Sequence, residues 1–96
     1  METHLLTQAL ANYVAALEHA ASVTKRAEDR PVYKSLLADA AALLAHAARG
    51  DSSASLQEAA TTHERLWGQS WLIDPAYKEP SGLWRAAHDA ILGHVI

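Results

Sequence analysis

The chain has 96 residues, half of them hydrophobic, with no cysteine and a formal net charge of −3. This length predicts a single domain with one modest core, and it excludes a cofactor domain joined to a substrate domain. The chain is net acidic and lacks the clustered excess of Lys and Arg that phosphate contacts need, so we expect no nucleic acid partner. The absence of cysteine excludes disulfides, a thiol nucleophile and cysteine metal sites.

The amino terminus carries an acidic residue, Glu2, where a signal peptide would carry basic ones, and the first Lys or Arg is Lys25. No apolar run reaches the length that is needed to cross a bilayer. We therefore expect a soluble cytoplasmic protein without a membrane partner.

Apolar residues at helical spacing predict a first helix from about Glu2 to about Glu28. Leu5 widens its apolar stripe towards that of a core-facing helix. The residues of the stripe are Leu6, Leu10, Tyr13, Leu17 and Ala20.

A proline and a glycine bound the second predicted helix. Pro31 suits a first helical turn, with Asp29 or Arg30 as the cap, and Gly50 is a typical helix terminator. The apolar stripe between them consists of Tyr33, Leu36, Leu37, Ala40, Leu43, Leu44 and Ala47.

Two further helices complete the pattern. Asp51-Ser52-Ser53-Ala54-Ser55 offers several N-caps, and Ser55 with Glu58 matches a capping box, for a third helix that continues to Gly68. A fourth helix is expected from Pro80 or Ser81 onwards. The fold class is therefore all-α, a four-helix antiparallel bundle formed by residues 1–96 as one domain, with a longer aromatic loop between helices 3 and 4.

Aromatic side chains are concentrated in that loop and at its borders. Four of the six aromatic residues lie between Trp67 and Trp84, together with Pro75 and Pro80. Large rings near acidic groups are typical of protein contact surfaces, here for a basic partner. The side chains that we assign to partner binding are Trp71, Asp74, Tyr77 and Glu79.

The six histidines do not form a metal-binding pattern, because none has a His, Asp or Glu three or four residues away. We therefore expect no metal and no cofactor. Two histidines lie on the apolar stripes of helices 3 and 4, where the two imidazoles could approach each other. Alternatively, each is a partly buried histidine that is hydrogen-bonded to a carbonyl or hydroxyl. We expect no nucleophile beside either one. Together with two tryptophans they form a candidate pocket, which consists of His63, Trp67, Trp84 and His88.

Catalytic signatures are also missing from the chain. It contains no G-x-S-x-G, no phosphate-binding glycine loop and no H-E-x-x-H, and only four glycines in all. We therefore expect no catalytic residues and predict that the protein is not an enzyme.

The order of features resembles that of the small all-helical immunity proteins that neutralise NAD(P)-glycohydrolase effectors of type VI secretion. The similarity rests on Pro31-Val32-Tyr33-Lys34-Ser35-Leu36-Leu37 at the start of helix 2 and on the short link Asp51-Ser52-Ser53. It also rests on Asp74-Pro75 before a last helix that contains Leu83-Trp84-Arg85-Ala86.

The resemblance implies a protein that binds a cognate toxin, or another larger protein, and occludes its active site without chemistry of its own. One alternative is a homo-oligomeric helical scaffold or regulatory module, such as a homodimer, in which the aromatic surface binds a second copy. Another is a small-ligand-binding bundle that uses the pocket between helices 3 and 4.

Overall fold

The computed structural model describes residues 2–50, 52–70, 72 and 75–93. It contains four α-helices and a single 3-10 turn, and the described residues include no strand. The helices are α1 (Glu2–Val23), α2 (Asp29–Ala48), α3 (Ser53–Gly68) and α4 (Lys78–Gly93), and the 3-10 turn is Pro75–Tyr77. The chain is all-α, as the sequence predicts.

The helices are arranged in a ring. α1 packs against α2 and α4, and α3 packs against the same two helices, so α1 and α3 lie on one diagonal of the bundle. The links from α1 to α2 and from α2 to α3 are short, which makes these neighbours antiparallel. The bundle measures 40 × 21 × 18 Å.

The core consists of the predicted apolar stripes. Every residue of the stripe on α1, from Leu6 to Ala20, is buried, and α2 buries its own stripe apart from the half-buried Leu37 and Leu44. α3 and α4 add smaller sets of buried residues, which are Leu56, Ala60, Trp84, Ala87 and Ile91. Leu5 is the exception, because it is 71% exposed.

The first helix is shorter than predicted, ending at Val23 rather than near Glu28. The hydroxyl of the buried Thr24 accepts the backbone N–H of Arg26, which gives the backbone an alternative to another helical turn. The Arg26 guanidinium then lies 3.2 Å from the carboxylate of Asp29, whose side chain is only 2% exposed. Asp29 is thus a buried member of α2 rather than its cap, and Glu28 at the cap position forms no side-chain cap bond.

The link between α2 and α3 confirms the predicted end of α2 and changes the predicted start of α3. Gly50 has a φ of +73°, the left-handed conformation that glycine adopts without steric cost. The cap of α3 is Ser52, whose hydroxyl accepts the backbone N–H of Ser55 at 3.2 Å. The predicted capping box of Ser55 and Glu58 is therefore wrong, because the helix begins one turn earlier than that box requires.

The fourth helix also begins earlier than predicted, at Lys78 rather than at Pro80 or Ser81. The 3-10 turn Pro75–Tyr77 leads directly into it. Pro80 is buried in the first helical turn, where a backbone N–H has no helical partner to lose. Trp71 and Asp74 lie outside the described residues. Within the described part of the chain, no helix combines the length and apolar character that a bilayer crossing requires.

Candidate functional site

A hydrogen-bonded chain of four side chains crosses the interior of the bundle, and we call it the buried tetrad. Its members are Trp67, Tyr13, His63 and Asp39, which come from α3, α1, α3 and α2. The Tyr13 hydroxyl lies 2.6 Å from Nε1 of Trp67 and 2.5 Å from Nε2 of His63. Nδ1 of His63 lies 2.8 Å from Oδ2 of Asp39. The polar groups of the fully buried Tyr13 and His63 are thus satisfied inside the apolar core by Trp67 and Asp39, which lie partly exposed at its edge.

The chemistry of the groups fixes the direction of these hydrogen bonds. The Asp39 carboxylate only accepts, so the proton of a neutral His63 lies on Nδ1 and is donated to it. Nε2 of His63 is then an acceptor for the Tyr13 hydroxyl. The indole of Trp67 only donates, and the oxygen of Tyr13 accepts its N–H. Each group in the tetrad therefore has a partner of the right kind.

Burial keeps the two titratable groups at the centre of the tetrad neutral. Desolvation lowers the pKa of His63, although the hydrogen bond and the charge of Asp39 act in the opposite direction. Desolvation also raises the pKa of Tyr13 far above that of a free phenol, and the hydrogen bond from Trp67 only partly offsets it. Neutral His63 and neutral Tyr13 are the states that the hydrogen-bond directions require.

The order of Asp39, His63 and Tyr13 is that of a carboxylate, a base and a hydroxyl in nucleophilic catalysis. The structure thus places beside His63 a hydroxyl that the sequence did not indicate. Both Tyr13 and His63 are fully buried, however, so a substrate has no access to the hydroxyl. This burial gives the tetrad a structural role, and the absence of catalytic residues stays a prediction.

Trp84 of α4 lies against the tetrad. Its ring centroid is 4.6 Å from that of His63, 5.4 Å from that of Tyr13 and 5.3 Å from that of His88. The two histidines of the candidate pocket thus contact the same indole rather than each other. Nε1 of Trp84 donates to Oε1 of Glu64 at 2.8 Å, which ties α4 to α3 at the surface.

An open cavity of about 370 Å³ lies beside these rings, and we call it the α3–α4 cleft. Gly68, which has no side chain, and Ser81 are the smallest residues on its walls and leave the space open. α3 and α4 pack together less extensively than α1 packs with either of its neighbours, which is consistent with this opening. The lining residues are Glu64, Trp67 and Gly68 from α3 and Ser81, Trp84, Arg85 and His88 from α4.

A second, smaller cavity is lined in part by the 3-10 turn, through Tyr77. It has a volume of about 250 Å³, and Trp67 and Ser81 line both cavities. Its remaining lining residues are Ser70, Leu72 and Tyr77. The two cavities share Trp67 and Ser81 as lining residues, and we call them together the Trp67 groove.

The structure separates the predicted pocket residues. Trp67, Trp84 and His88 line the α3–α4 cleft, whereas His63 lies behind them in the buried tetrad. Trp67 and His88 are half-buried, whereas Trp84 is only 3% exposed. Trp67 and His88 therefore offer ring surface to the cleft, and Trp84 acts mainly as a core anchor.

The predicted partner-binding residues are also separated. Tyr77 is half-buried at one end of the Trp67 groove and packs against the core. Glu79 is exposed and lies in another depression, beside Asn12, His19 and Leu83. The other two predicted contact residues, Trp71 and Asp74, are outside the described part of the chain.

Sequence reasoning missed the tetrad partners of His63 and the charged walls of the cleft. One signal was available: Tyr13 and His63 both lie on apolar stripes, and two buried polar groups need partners. Asp39 follows Leu36 by three residues and precedes Leu43 by four, which places it at the edge of the stripe on α2. No sequence signal singles out Glu64 and Arg85, because exposed charges of this kind are common on helices.

Among the residues that the structure describes, no group of three or more His, Asp or Glu side chains is arranged to hold a metal ion. The two ring nitrogens of His63 are occupied by Asp39 and by Tyr13. The aromatic and polar residues that line the cleft suggest binding by stacking and hydrogen bonds.

Comparison of the chain with protein-family models, with curated proteins and with solved structures finds no match. The function of the protein is therefore inferred from the geometry of the groove and from the order of its sequence features.

Proposed function

We propose that this protein is an immunity or antitoxin-like module that binds a cognate toxin and blocks its active site by occlusion. The observation that carries the proposal is the Trp67 groove, two neighbouring cavities that are lined by half-buried aromatic side chains. Trp67 lines both cavities, His88 lines the larger one and Tyr77 lines the smaller one. The order of sequence features resembles that of small all-helical immunity proteins, which is why we propose a toxin as the partner.

The composition of the groove suits a protein partner. Trp, Tyr and Arg are the residues that most often dominate the energy of protein interfaces, and the groove offers Trp67, Tyr77 and Arg85. Glu64 and Arg85 add one charge of each sign at its walls, which gives a partner contacts that specify orientation. The acidic side chain of Glu79 lies in a separate depression between α1 and α4 and would favour the approach of a basic partner.

The framework behind the groove is preorganised for binding. The Tyr13 hydroxyl fixes Trp67 through its indole N–H, and Glu64 accepts the indole N–H of Trp84. A ring that is already held in place loses less conformational entropy when a partner covers it. Inhibition then needs only a stable complex over the toxin's active site.

Co-expression with the product of the adjacent gene tests the proposal. We expect that product to be toxic alone, to be neutral when this chain is present, and to co-purify with it. A neighbouring product that is harmless alone, or whose toxicity this chain leaves unchanged, would contradict the proposal. A purified chain that forms a tight dimer, which Trp71→Ala converts to a monomer, would support the scaffold alternative instead.

A further inference from the structure

The α3–α4 cleft has two features that an interface for a protein surface does not require. Its volume of about 370 Å³ is in the range of small-ligand pockets, which run from roughly 300 to 1,000 Å³. It also presents a carboxylate on the α3 wall, from Glu64, and a guanidinium on the α4 wall, from Arg85.

The two charged side chains do not bind each other. Neither Glu64 nor Arg85 forms an ion pair with the other or with any other described residue. The indole N–H of Trp84 holds Oε1 of Glu64 at 2.8 Å, which positions the carboxylate and leaves Oε2 without a donor among the described residues. Glu64 is thus a fixed acceptor, and Arg85 is an exposed donor.

The remaining surface of the cleft is aromatic. Trp67 is half-buried on the α3 wall and His88 is half-buried on the α4 wall, where its ring stacks on Trp84 with an interplanar angle of 30°. A flat group between the two walls would contact ring surface while its edge meets one acceptor and one donor. The net charge of Glu64 and Arg85 together is zero, so the cleft favours neither a cation nor an anion.

We propose that the α3–α4 cleft binds a small, neutral, aromatic amide, which donates its N–H to Glu64 and accepts from Arg85 while its ring packs on Trp67. The ligand is a small molecule, so this inference goes beyond the proposed function and does not depend on a protein partner. The amide edge satisfies both charged walls at once. A purely cationic or purely anionic ring satisfies one wall and is repelled by the other.

Three probes of nearly the same shape separate these chemistries. Benzamide carries a donor and an acceptor, benzamidine carries donors and a positive charge, and benzoate carries acceptors and a negative charge. Each is titrated into the full chain while the indole N–H resonances of Trp67 and Trp84 are followed by NMR. We expect benzamide to bind in the millimolar range and the two ions to bind at least about tenfold more weakly, because each ion is repelled by the wall that carries its own charge.

A glycine pair supplies a matched control. Gly68 lines the cleft and Gly82 does not, and apart from the adjoining chain no atom lies within 4 Å of the position that a Cβ would take at either residue. Both lie in helices with ordinary backbone conformation, so either tolerates a side chain. We expect Gly68→Leu to fill the cleft and abolish benzamide binding, whereas Gly82→Leu leaves binding unchanged.

A second variant keeps the test informative if Gly68→Leu disturbs folding. Arg85→Ala removes an exposed side chain that has no described partner, and it should weaken benzamide binding while improving binding of benzamidine. Three outcomes would overturn the proposal. The unmodified chain could bind benzamidine or benzoate more tightly than benzamide, both leucine variants could lose benzamide binding equally, or neither indole resonance could shift. Toxin neutralisation is measured separately, so failure here leaves the proposed function to its own experiment.

Discussion

The Tyr13 hydroxyl lies 2.5 Å from Nε2 of His63 and joins two helices that lie diagonally opposite in the bundle. Through this one oxygen, the buried tetrad connects α1 to the groove and to α2. Trp67 donates to the same oxygen from the groove side, and Asp39 holds the far side of His63 on α2. The position of the central groove residue is therefore set by a residue that no ligand can touch.

Removing this hydroxyl should destabilise the fold. Tyr13→Phe leaves the acceptor Nε2 of His63 and the donor Nε1 of Trp67 without their partner. We expect a loss of about 2 to 4 kcal/mol in the free energy of unfolding, measured by urea titration. Tyr77→Phe is the matched control at a half-buried tyrosine, with an expected change below about 0.5 kcal/mol. Equal effects of the two variants would mean that the tetrad contributes nothing specific.

Stability should fall as the pH drops below the ordinary pKa of histidine. His63 titrates near 6.5 in the unfolded chain, and burial lowers its pKa in the folded protein. As the pH falls below 6.5, His63 takes up a proton in the unfolded chain before it does so in the folded protein. The stability that is present above pH 6.5 is therefore lost as the pH falls towards the lower pKa that His63 has in the folded protein. A protonated His63 would also leave the Tyr13 proton without an acceptor, since both neighbours would then be donors.

The measurement compares urea unfolding near about pH 7.5 and near about pH 5, on either side of the ordinary histidine pKa. His63→Gln should be less stable than the wild type at the higher pH and should show a smaller difference between the two conditions. His19→Gln, at an exposed histidine of α1, should keep the wild-type pH dependence. A full wild-type pH effect in His63→Gln would refute the assignment.

The apolar stripes should carry most of the stability. Leu10, Leu17, Leu36 and Leu43 are at most 1% exposed, so replacing any one of them with Ala should cost about 2 to 5 kcal/mol. Leu5→Ala removes the same atoms from a side chain that is 71% exposed, and we expect less than about 0.5 kcal/mol. Tolerance of all four buried substitutions in a denaturant titration would be incompatible with this core.

The start of α3 gives a sharper test, because sequence pattern and structure disagree there. Ser52→Ala removes the hydroxyl that accepts the N–H of Ser55, and the expected cost is about 1 kcal/mol. Ser55→Ala should cost clearly less, since Ser55 is an exposed residue inside the helix. The reverse order, measured by thermal unfolding, would restore the capping box of Ser55 and Glu58.

Partner binding should depend on the aromatic residues more than on the acidic ones. In a complex with the neutralised toxin, Trp71→Ala and Tyr77→Ala should each weaken affinity by about 2 kcal/mol or more. Asp74→Asn and Glu79→Gln should mainly slow association and reduce its salt dependence. Glu58→Gln is the charge control, because Glu58 lines a different depression between α2 and α3. Tyr77 packs against the core, so its variant also needs a melting curve.

The sequence by itself determined the helices and the face that each one buries. Helical spacing of Leu and Ala is a local property, and burying one stripe per helix leaves a four-helix bundle as the simplest solution. The ends of the helices were less well determined, because side chains in the links between helices set them. Thr24 binds the Arg26 backbone, and Asp29 is buried beside Arg26. Ser52 caps α3 one turn before the predicted capping box.

Only the tertiary structure decided what the polar residues of the core do and where the functional face lies. The buried tetrad joins residues that are 24, 50 and 54 positions apart, and such distances depend on how the helices rotate against each other. The sequence left open whether His63 and His88 approach each other, and in the structure the indole of Trp84 contacts both rings. The groove that Trp67 shares with Tyr77 and Arg85 exists because small residues on two helices leave a space when those helices pack, and no single helix encodes that space.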